Sequence, residues 1–267
     1  MFDRRVGLYL QREIRTPVPE DRKLVRVLEA DPDLGDQLGE DERALAQRYL
    51  VAEARTLEAG PWDPYTSYDG EPGKLGLLVL DGLLTRSIKL GNTSCAELLG
   101  EGDVLRPWQE DREWSVAPFE ARWMVLEPTR LAVLDRRFAA AAGRWPELME
   151  SVLARSVHRS RRLAFHMALS HLTRVDVRLL AVFWYMADRW GRVGPEGVVL
   201  QLRLTHQTLA QLVGAQRPSV TTALGQLAAQ GKLIRRDVSN WLLHGRPPDE
   251  LSTVRELVDG AGGAPAR

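Results

Sequence analysis

The chain has 267 residues, of which 44% are hydrophobic and 27% are charged, which is ordinary for globular domains and enough for two of them. No apolar run approaches the roughly 18 to 20 residues of a membrane helix, and the N-terminus lacks a signal-peptide core, so we expect a cytoplasmic protein without a membrane partner. The single cysteine, Cys95, excludes an internal disulfide and any cluster that needs several thiolates. We expect Cys95 to be a half-buried strand residue.

The formal net charge is zero, yet the two halves of the chain differ in sign. Residues 1–142 contain 19 Lys and Arg against 26 Asp and Glu, a net charge of −7, and residues 143–267 contain 17 against 10, a net charge of +7. Within residues 174–246 the count is 10 against 4, a net charge of +6. A basic segment joined to an acidic one is typical of a DNA-binding domain attached to a partner domain.

Residues 1–72 are predicted to form an N-terminal helical extension. Helical periodicity occurs at residues 21–30 and 41–58, and the sequence Asp31-Pro32-Asp33 separates the two segments. We expect these helices to pack on the domain that follows.

Residues 73–143 are predicted to form a small antiparallel β-roll. Five short β-prone runs are separated by turn residues such as Asp81-Gly82 and Glu127-Pro128. The runs are residues 75–80, 83–90, 95–99, 122–126 and 130–134. We interpret Gly100-Glu101-Gly102 as a plain turn rather than a phosphate loop, because no helix start with a lysine follows it.

Residues 144–172 are predicted to form a long helix that enters at Trp145-Pro146. A stripe of its side chains follows alternating spacings of three and four, and a helix of this kind packs either inside its own chain or against the same helix of a second subunit. We favour pairing, which makes this a dimerisation helix. The stripe consists of Met149, Val152, Ser156, Arg159, Leu163 and His166. The cluster Arg159, Arg161 and Arg162 is predicted to be a solvated face.

Residues 173–246 are predicted to form a winged helix-turn-helix, followed by a tail at residues 247–267. An amphipathic helix at Val175–Trp190 and a strand at residues 198–204 lead to Thr205, which is a good helix N-cap. Gly214 stops that helix, and a second helix opens at Gln216 or Arg217 and continues to Gly231. Residues 232–243 then have the strand-turn-strand pattern of a wing.

The exposed face of the second helix carries side chains that reach phosphates and base edges in DNA complexes. Two short amphipathic helices joined at a glycine could also be a structural pair without a DNA partner. The wing and the local basic charge favour a DNA-binding function. The polar side chains of this face are Arg217, Ser219, Thr221, Thr222 and Gln226.

The order of these elements resembles the Crp/Fnr superfamily of bacterial transcription regulators. The most specific stretch is Gly197–Leu227, with Gly214 at the corner and Arg217-x-Ser219-Val220 opening the recognition helix. L-D-G-L-L-T-R at residues 80–86 and L-G-E-G-D-V-L at residues 99–105 are similar to landmarks of the family's β-roll. The resemblance covers residues 74–246. It implies an α+β fold with an N-terminal cyclic-nucleotide-binding-like β-roll, flanking helices, a long dimerisation helix and a C-terminal winged helix-turn-helix.

The resemblance also implies roles for side chains. Arg217 takes the position of a base-reading arginine, and Pro218 and Thr222 take base-facing positions where family members often carry Glu and Arg. Gln216 and Ser219 match positions that touch phosphates. The implied DNA-binding set is Thr205, His206, Gln216, Arg217, Pro218, Ser219, Thr221 and Thr222. The implied partners are double-stranded DNA, a second copy of the chain, and RNA polymerase as a further candidate.

The β-roll departs from the cyclic-nucleotide-binding members of the family. These carry Gly-Glu-Leu after the G-x-G-D turn and a later Arg-Ser or Arg-Thr pair. Here Leu105-Arg106-Pro107-Trp108 stands in that place, and no such pair occurs between Arg106 and Leu126. A cyclic phosphate would lack its bidentate arginine, so we expect no binding of cyclic AMP in the usual mode. Arg106, Trp108 and Arg122 remain a candidate pocket for an unknown effector, although burial of Trp108 under the roll is the favoured alternative.

No cofactor, metal or catalytic site is predicted. His158, His166, His171 and Cys95 are the side chains that a haem sensor could use, but a histidine on a helix is more often a surface or interface residue. The sequence has no HExxH, GxSxG or Walker motif, so we do not expect an enzyme. We expect a homodimeric regulator that binds an inverted-repeat operator. The alternative is a ligand-binding or protein-interaction module whose winged helix docks a protein partner.

Overall fold

The computed structural model describes residues 23–64, 75–91, 93–107 and 120–248. It confirms the α+β class, with a seven-stranded antiparallel sheet first, helices next and a four-stranded sheet last. The tail at residues 249–267 and the first 22 residues lie outside the described part of the chain.

The N-terminal region is a mixture of strands and short helices, so the prediction of a helical extension over residues 1–72 was wrong for its described part. Three strands there, β1 (Lys23–Arg26), β2 (Val51–Leu57) and β3 (Gly60–Trp62), belong to the large sheet. The helices are α1 (Val27–Ala30) and α2 (Glu40–Tyr49), with a 3-10 turn at Pro32–Gly35 between them.

The predicted helix at residues 41–58 instead ends at Tyr49, and the chain turns into β2. Residues 53–57 of β2 pair with a long strand of the roll and residues 51–54 pair with β1, and this pairing satisfies backbone groups that a helix would otherwise satisfy internally. Residues 51–57 therefore form a strand despite their helical periodicity, because they pair with a strand that is distant in sequence.

The β-roll is built on two strands of 15 residues each, β4 (Gly76–Leu90) and β7 (Glu120–Leu134). Strands β5 (Thr93–Gly100) and β6 (Val104–Leu105) pair with β4, and the sheet runs in the order β1-β2-β7-β4-β5. The predicted turns at Asp81-Gly82 and Glu127-Pro128 are instead irregularities inside long strands, where the β4–β7 register shifts. Bulges of this kind bend and coil a strand without ending it.

Gly82 explains why this position looked like a turn. Its φ is +94°, and a Cβ placed there would lie 2.4 Å from the carbonyl oxygen of Pro128 on the neighbouring strand. Only glycine fits such a close approach, and the same residue type favours turns, so the local signal is ambiguous.

The interior of the roll is filled by large apolar side chains. Trp62 and Trp123 meet edge to face, with ring centroids 5.5 Å apart. Around them lie the buried side chains of Leu77, Val79, Leu84, Leu99, Leu105, Leu131 and Val133. The predicted half-buried Cys95 lies on β5, but its side chain is exposed.

Three helices follow the roll: α3 (Arg136–Ala142), α4 (Pro146–Ser170) and α5 (Val175–Trp190). Trp145-Pro146 separates α3 from α4 as predicted, because proline is tolerated in the first turn of a helix but not in its interior. Helix α5 has the predicted bounds, and its buried side chains include Phe183.

One face of α4 packs against its own chain. This face carries arginine side chains as well as apolar ones. Arg155 donates to both carboxylate oxygens of Asp31, at 2.5 and 2.7 Å, and Arg159 donates to both of Glu97, at 3.0 and 2.5 Å. Arg162 pairs with Asp103. The prediction of a solvated face for Arg159 and Arg162 was therefore wrong, because buried carboxylates of the roll require these partners.

The opposite face of α4 is uncovered. Leu153, Val157 and Met167 are 64%, 43% and 68% exposed, and Ser160 and Ala164 complete the row between them. These five positions alternate in spacing by four and three, which is the spacing of a coiled-coil seam. Three members of the predicted stripe, Val152, Arg159 and His166, instead face the chain's own interior, and the exposed apolar row consists of residues outside that stripe.

The C-terminal domain begins with α5 and a hairpin of β8 (Gly191–Gly194) and β9 (Gly197–Gln201). Helices α6 (His206–Val213) and α7 (Arg217–Ala229) follow, and β10 (Leu233–Arg235) and β11 (Asn240–Leu243) form the wing. The small sheet has the order β10-β11-β9-β8. Its core contains Trp241, whose ring lies 4.8 Å from that of Phe183 and whose Nε1 donates to Leu202 O at 3.0 Å.

The two domains share a core and a charged connection. Leu83, Ala96 and Leu98 of the roll belong to the same apolar cluster as α5, α6 and α7. Beside this cluster, Asp103 is 2% exposed and accepts from Gly100 N at 2.9 Å, from Arg189 Nη1 at 2.9 Å and from Arg162 Nη2. Asp103 therefore connects the roll to both α4 and α5.

We expect Asp103→Asn to lower the free energy of unfolding by about 2 to 3 kcal/mol, because Arg162 and Arg189 would lose the charge that compensates their partial burial. Urea denaturation at neutral pH measures this change. Glu101→Gln, at an exposed neighbouring position, is the matched control and should alter stability by less than about 0.5 kcal/mol. Equal stability of the two variants would contradict the role given to Asp103.

We expect Gly214→Ala to destabilise the protein by about 1 kcal/mol, because Gly214 has φ +60° and ψ +46°, where a Cβ is strained. A Cβ there would meet nothing closer than Arg178 Nη1 at 4.0 Å, so the loss comes from the backbone alone. Gly214→Asn should lose less, since asparagine tolerates this conformation better. Thermal unfolding of the two variants tests the ranking, and an alanine variant as stable as the parent would contradict it.

Candidate nucleic-acid interface

The first helix of the motif starts and stops at the predicted residues. Thr205 caps α6, and its Oγ1 accepts from Thr208 N at 3.0 Å. Gly214 ends the helix in the left-handed conformation, and Ala215 N donates back to Ala210 O at 2.9 Å. These local signals decide the angle at which the chain leaves α6.

The second helix, α7, is fixed by its buried side and by the corner before it. Val220, Ala223 and Leu227 are buried, and α7 packs on α5 and α6. Arg178 of α5 donates to Val213 O at 2.8 Å and to Gly214 O at 3.1 Å. These hydrogen bonds attach the turn between α6 and α7 to α5. The remaining face of α7 is therefore held in one orientation toward solvent.

That solvent face brings together most of the predicted DNA-binding side chains. Helix α7 begins at Arg217, with Pro218 in its first turn and Gln216 as its N-cap residue. All members of the predicted set on this helix are exposed, namely Gln216, Arg217, Pro218, Ser219, Thr221 and Thr222. The set forms one continuous surface at the N-terminal end of the helix, where backbone N–H groups favour anions.

Two side chains of the predicted DNA-binding set, Thr221 and Thr222, form hydrogen bonds inside the protein. Thr222 Oγ1 donates to Pro218 O at 3.2 Å. Thr221 Oγ1 donates to Arg217 O at 3.1 Å and lies 2.9 Å from His206 Nδ1. The His206–Thr221 contact links the start of α6 to α7, so these two side chains position the recognition helix.

A shallow depression unites α6, α7 and the wing. Its lining is Thr205, His206, Gln207, Arg217 and Arg235. Burial lowers the pKa of His206, and the positive charges of Arg235 and Arg217 lower it further. The depression thus carries a positive field suited to a phosphate or a base edge.

Gln207 and Arg235 are absent from the predicted set. The Arg235 guanidinium lies 4.9 Å from the Trp241 ring centroid and donates to Asp237 O and Val238 O, both at 3.0 Å. The sequence feature that could have indicated Arg235 is the basic run of the wing strand at residues 232–236. Sequence alone did not indicate that this strand places Arg235 beside Arg217.

Hydrogen bonds to the Asp237 carboxylate hold the turn of the wing. One oxygen of Asp237 accepts from Ser239 N and Asn240 N, both at 2.8 Å, and the other accepts from Asn240 Nδ2 at 2.6 Å. These hydrogen bonds lower the pKa of Asp237 to about 2, the side-chain bond to Asn240 having the largest effect. The wing therefore keeps its shape at neutral pH.

The two described residues of the candidate effector pocket, Arg106 and Arg122, do not lie close together. Arg106 follows β6 and lies beside Gly76, whereas Arg122 lies opposite Ser87 on β4, eleven residues further along the strand. At about 3.3 Å per residue this is a separation on the order of 30 Å along the strand. Arg122 is exposed and pairs with Glu120, and Trp108 lies outside the described residues.

Over residues 23–64, 75–91, 93–107 and 120–248, no group of three or more His, Cys, Asp or Glu is arranged to hold a metal ion. No helix among these residues has the length and apolar character to cross a membrane.

Comparison with known proteins identifies the C-terminal domain. Residues 177–244 match the family model of the Crp-like helix-turn-helix domain. Regulatory protein CysR of Synechococcus elongatus is 33% identical over 88 residues, which are 32% of this chain and 41% of that regulator's length. The global nitrogen regulator of the same organism is 27% identical over 180 residues, 62% of this chain and 76% of that protein.

The whole fold also has relatives of known structure. FixK2 from Bradyrhizobium japonicum superposes with a TM-score of 0.55 and 19% identity, covering 81% of this chain and 100% of that one. At this identity the likeness concerns the fold. The described chain therefore shares its fold with FixK2, and its C-terminal domain matches the Crp-like helix-turn-helix domain.

Proposed function

We propose that the protein is a homodimeric regulator that binds an inverted-repeat operator in double-stranded DNA. The observation that carries this proposal is the depression in which Arg217 of the recognition helix lies with His206 of α6 and Arg235 of the wing. These side chains belong to three elements, yet they line one exposed surface. A cationic surface at a helix N-terminus is suited to the DNA backbone and the major groove.

Within this surface, Arg217 is the proposed base reader. It is exposed at the first residue of α7, where its fork of donors can reach two acceptors on one base edge. Guanine O6 and N7 match that geometry. Gln216 and Ser219 flank it and are proposed to touch phosphates, and Pro218 and Thr222 face the neighbouring base pairs. Thr205 and Arg235 support the backbone contact from either side of the groove.

The dimer is proposed to form through the outer face of α4. Two-fold pairing of the row Leu153, Val157, Ser160, Ala164 and Met167 would cover apolar side chains that the chain itself leaves exposed. Two recognition helices related by this axis would enter major grooves about 34 Å apart, so the operator should be an inverted repeat. RNA polymerase is a further candidate partner of the DNA-bound dimer.

We expect Arg217→Ala to weaken operator binding by about 1 to 3 kcal/mol and to relax the preference at one base pair in each half-site, because a bidentate contact is lost. Fluorescence anisotropy with an operator selected from genomic fragments, and with single-base variants of it, measures both effects. Arg192→Ala, which removes an exposed arginine of β8, is the control for charge alone. Unchanged selectivity in Arg217→Ala would contradict the assignment.

The salt dependence of the same assay separates this function from protein docking. Several phosphate contacts should make the affinity fall steeply between about 50 and 200 mM salt. A flat salt response, or no binding to any genomic fragment, would favour the alternative in which the winged helix docks a protein partner.

We expect Val157→Glu to raise the dissociation constant of the dimer about a hundredfold or more, because two like charges would be buried in the seam without partners. Sedimentation velocity should show the parent at twice the chain mass of 30.0 kDa and the variant at that mass. Val193→Glu is the matched control, since Val193 is 89% exposed on β8 and lies outside the seam. A variant that stays dimeric would exclude this face as the seam.

A further inference from the structure

A cavity of about 380 Å³ lies where the two domains meet, bounded by β5 of the roll and by α4, α5 and α6. Its volume falls in the range of about 300 to 1,000 Å³ typical of small-molecule sites. It shares no lining residue with the depression that carries Arg217. The cavity is therefore distinct from the DNA interface and from the candidate effector set in the roll.

The inner wall of the cavity is formed by apolar side chains that pack against one another. Leu98 of β5, Met186 of α5 and Leu212 of α6 are buried side chains that line it. Phe165 of α4 stacks on Tyr185 of α5, with ring centroids 4.6 Å apart. A wall of this composition favours an apolar body rather than a nucleotide phosphate or an inorganic ion.

Two polar groups lie among these apolar side chains. The Tyr185 hydroxyl makes no hydrogen bond to a described residue, and burial raises the pKa of Tyr185, so the phenol keeps its proton. His166 Nδ1 lies 3.3 Å from Leu212 O, which leaves Nε2 available. Burial lowers the pKa of His166, so its ring is neutral at pH 7. Tyr185 and His166 thus offer hydrogen-bonding positions to a ligand while carrying no charge themselves.

The mouth of the cavity carries one charge of each sign. Helices α4 and α5 are joined by a short turn at residues 171–174 and run antiparallel past the Phe165–Tyr185 stack. Arg161 lies about one helical turn before Phe165, and Asp188 lies about one turn after Tyr185, so the two stand at a similar level on facing helices. Both side chains are exposed and line the cavity.

Arg161 and Asp188 are distinguished from the other charged lining residues by their lack of ion pairs within the described chain. Glu97 is engaged by Arg86 and Arg159, and Asp103 engages Arg162 and Arg189. By contrast, Arg161 and Asp188 form no ion pair with each other or with any other described residue, although they carry opposite charges at one opening.

We infer that this cavity binds a small zwitterion with an apolar side chain, of the class of free apolar α-amino acids. Its carboxylate would meet Arg161, its ammonium group would meet Asp188, and its side chain would enter between Phe165 and Met186. A simple organic acid or amine would leave one of the two charges at the mouth unmatched. The zwitterion satisfies both charges and the apolar wall together.

The position of the cavity gives binding a consequence for DNA, which rests on the proposed function. A ligand there touches a strand of the roll, the helix of the proposed dimer seam and the first helix of the DNA-binding motif. It stabilises the arrangement of the two domains in which the cavity is formed. Because linkage is reciprocal, a ligand that prefers one arrangement changes operator affinity, typically by about 5- to 150-fold.

Calorimetric titration of the full-length protein without DNA tests the site. L-leucine, L-phenylalanine and L-tryptophan are the probes, with 3-phenylpropionate and 2-phenylethylamine as analogues of phenylalanine that lack the ammonium group or the carboxylate. We expect at least one amino acid to bind saturably. Each analogue should bind at least about tenfold more weakly than phenylalanine. Absence of binding by all three amino acids, or equal binding of either analogue, would overturn the inference.

Variants at the mouth supply the second measurement. Arg161→Gln and Asp188→Asn change exposed side chains without described ion pairs, so both should fold as the parent does. Each should weaken binding of the amino acid about tenfold or more, whereas Arg192→Gln, outside the cavity, should not. Unchanged binding in both mouth variants would reject the proposed contacts.

Anisotropy with operator DNA, with and without the bound amino acid, keeps the two proposals separate. Ligand binding in a protein that binds no DNA would contradict the proposed function and leave the site intact. Operator binding in a protein that binds no amino acid would contradict the site alone. A bound amino acid that leaves operator affinity unchanged would overturn the regulatory consequence.

Discussion

The carboxylate of Asp103 is the point at which the β-roll, the long helix and the DNA-binding domain are joined. Asp103 is 2% exposed and accepts hydrogen bonds from the roll turn at Gly100, from Arg162 of α4 and from Arg189 of α5. A buried carboxylate without partners is strongly unfavourable, so movement of either helix away from the roll is opposed by the loss of its hydrogen bond to Asp103. This requirement acts together with the apolar cluster that the two domains share to set their relative placement.

The same requirement explains the two faces of α4. Arg155, Arg159 and Arg162 turn inward to meet Asp31, Glu97 and Asp103. Because the helix has one face committed to these carboxylates, the apolar row at Leu153, Val157 and Met167 lies on the other side. In a typical amphipathic helix the apolar side faces the chain's own core, and here that assignment is partly reversed. An exposed apolar row of this spacing is suited to a second subunit.

The ion pairs between the domains also distinguish the charged side chains that have a described partner from those that have none. Once Asp103 and Glu97 have engaged their arginines, Arg161 and Asp188 stand at the mouth of a cavity between the domains without described ion-pair partners. In the DNA-binding domain a similar distinction appears, since Arg178 is committed to the carbonyl oxygens of the corner whereas Arg217 is exposed. Structural arginines and candidate recognition arginines are separated by their contacts, not by their residue type.

The amino-acid sequence by itself determined the helix-turn-helix almost completely. Thr205, Gly214 and Pro218 act through backbone chemistry within a few residues, so their effects on helix ends are legible without a tertiary partner. It also determined the α+β class and the helix at Val175–Trp190. By contrast, only the tertiary structure decided that β2 joins the roll, that Gly82 lies within a strand, that Arg159 pairs with the buried Glu97 and that Arg235 lies beside Arg217. Each of these depends on a contact between residues distant in sequence, and local periodicity carries no information about which distant residue becomes the partner.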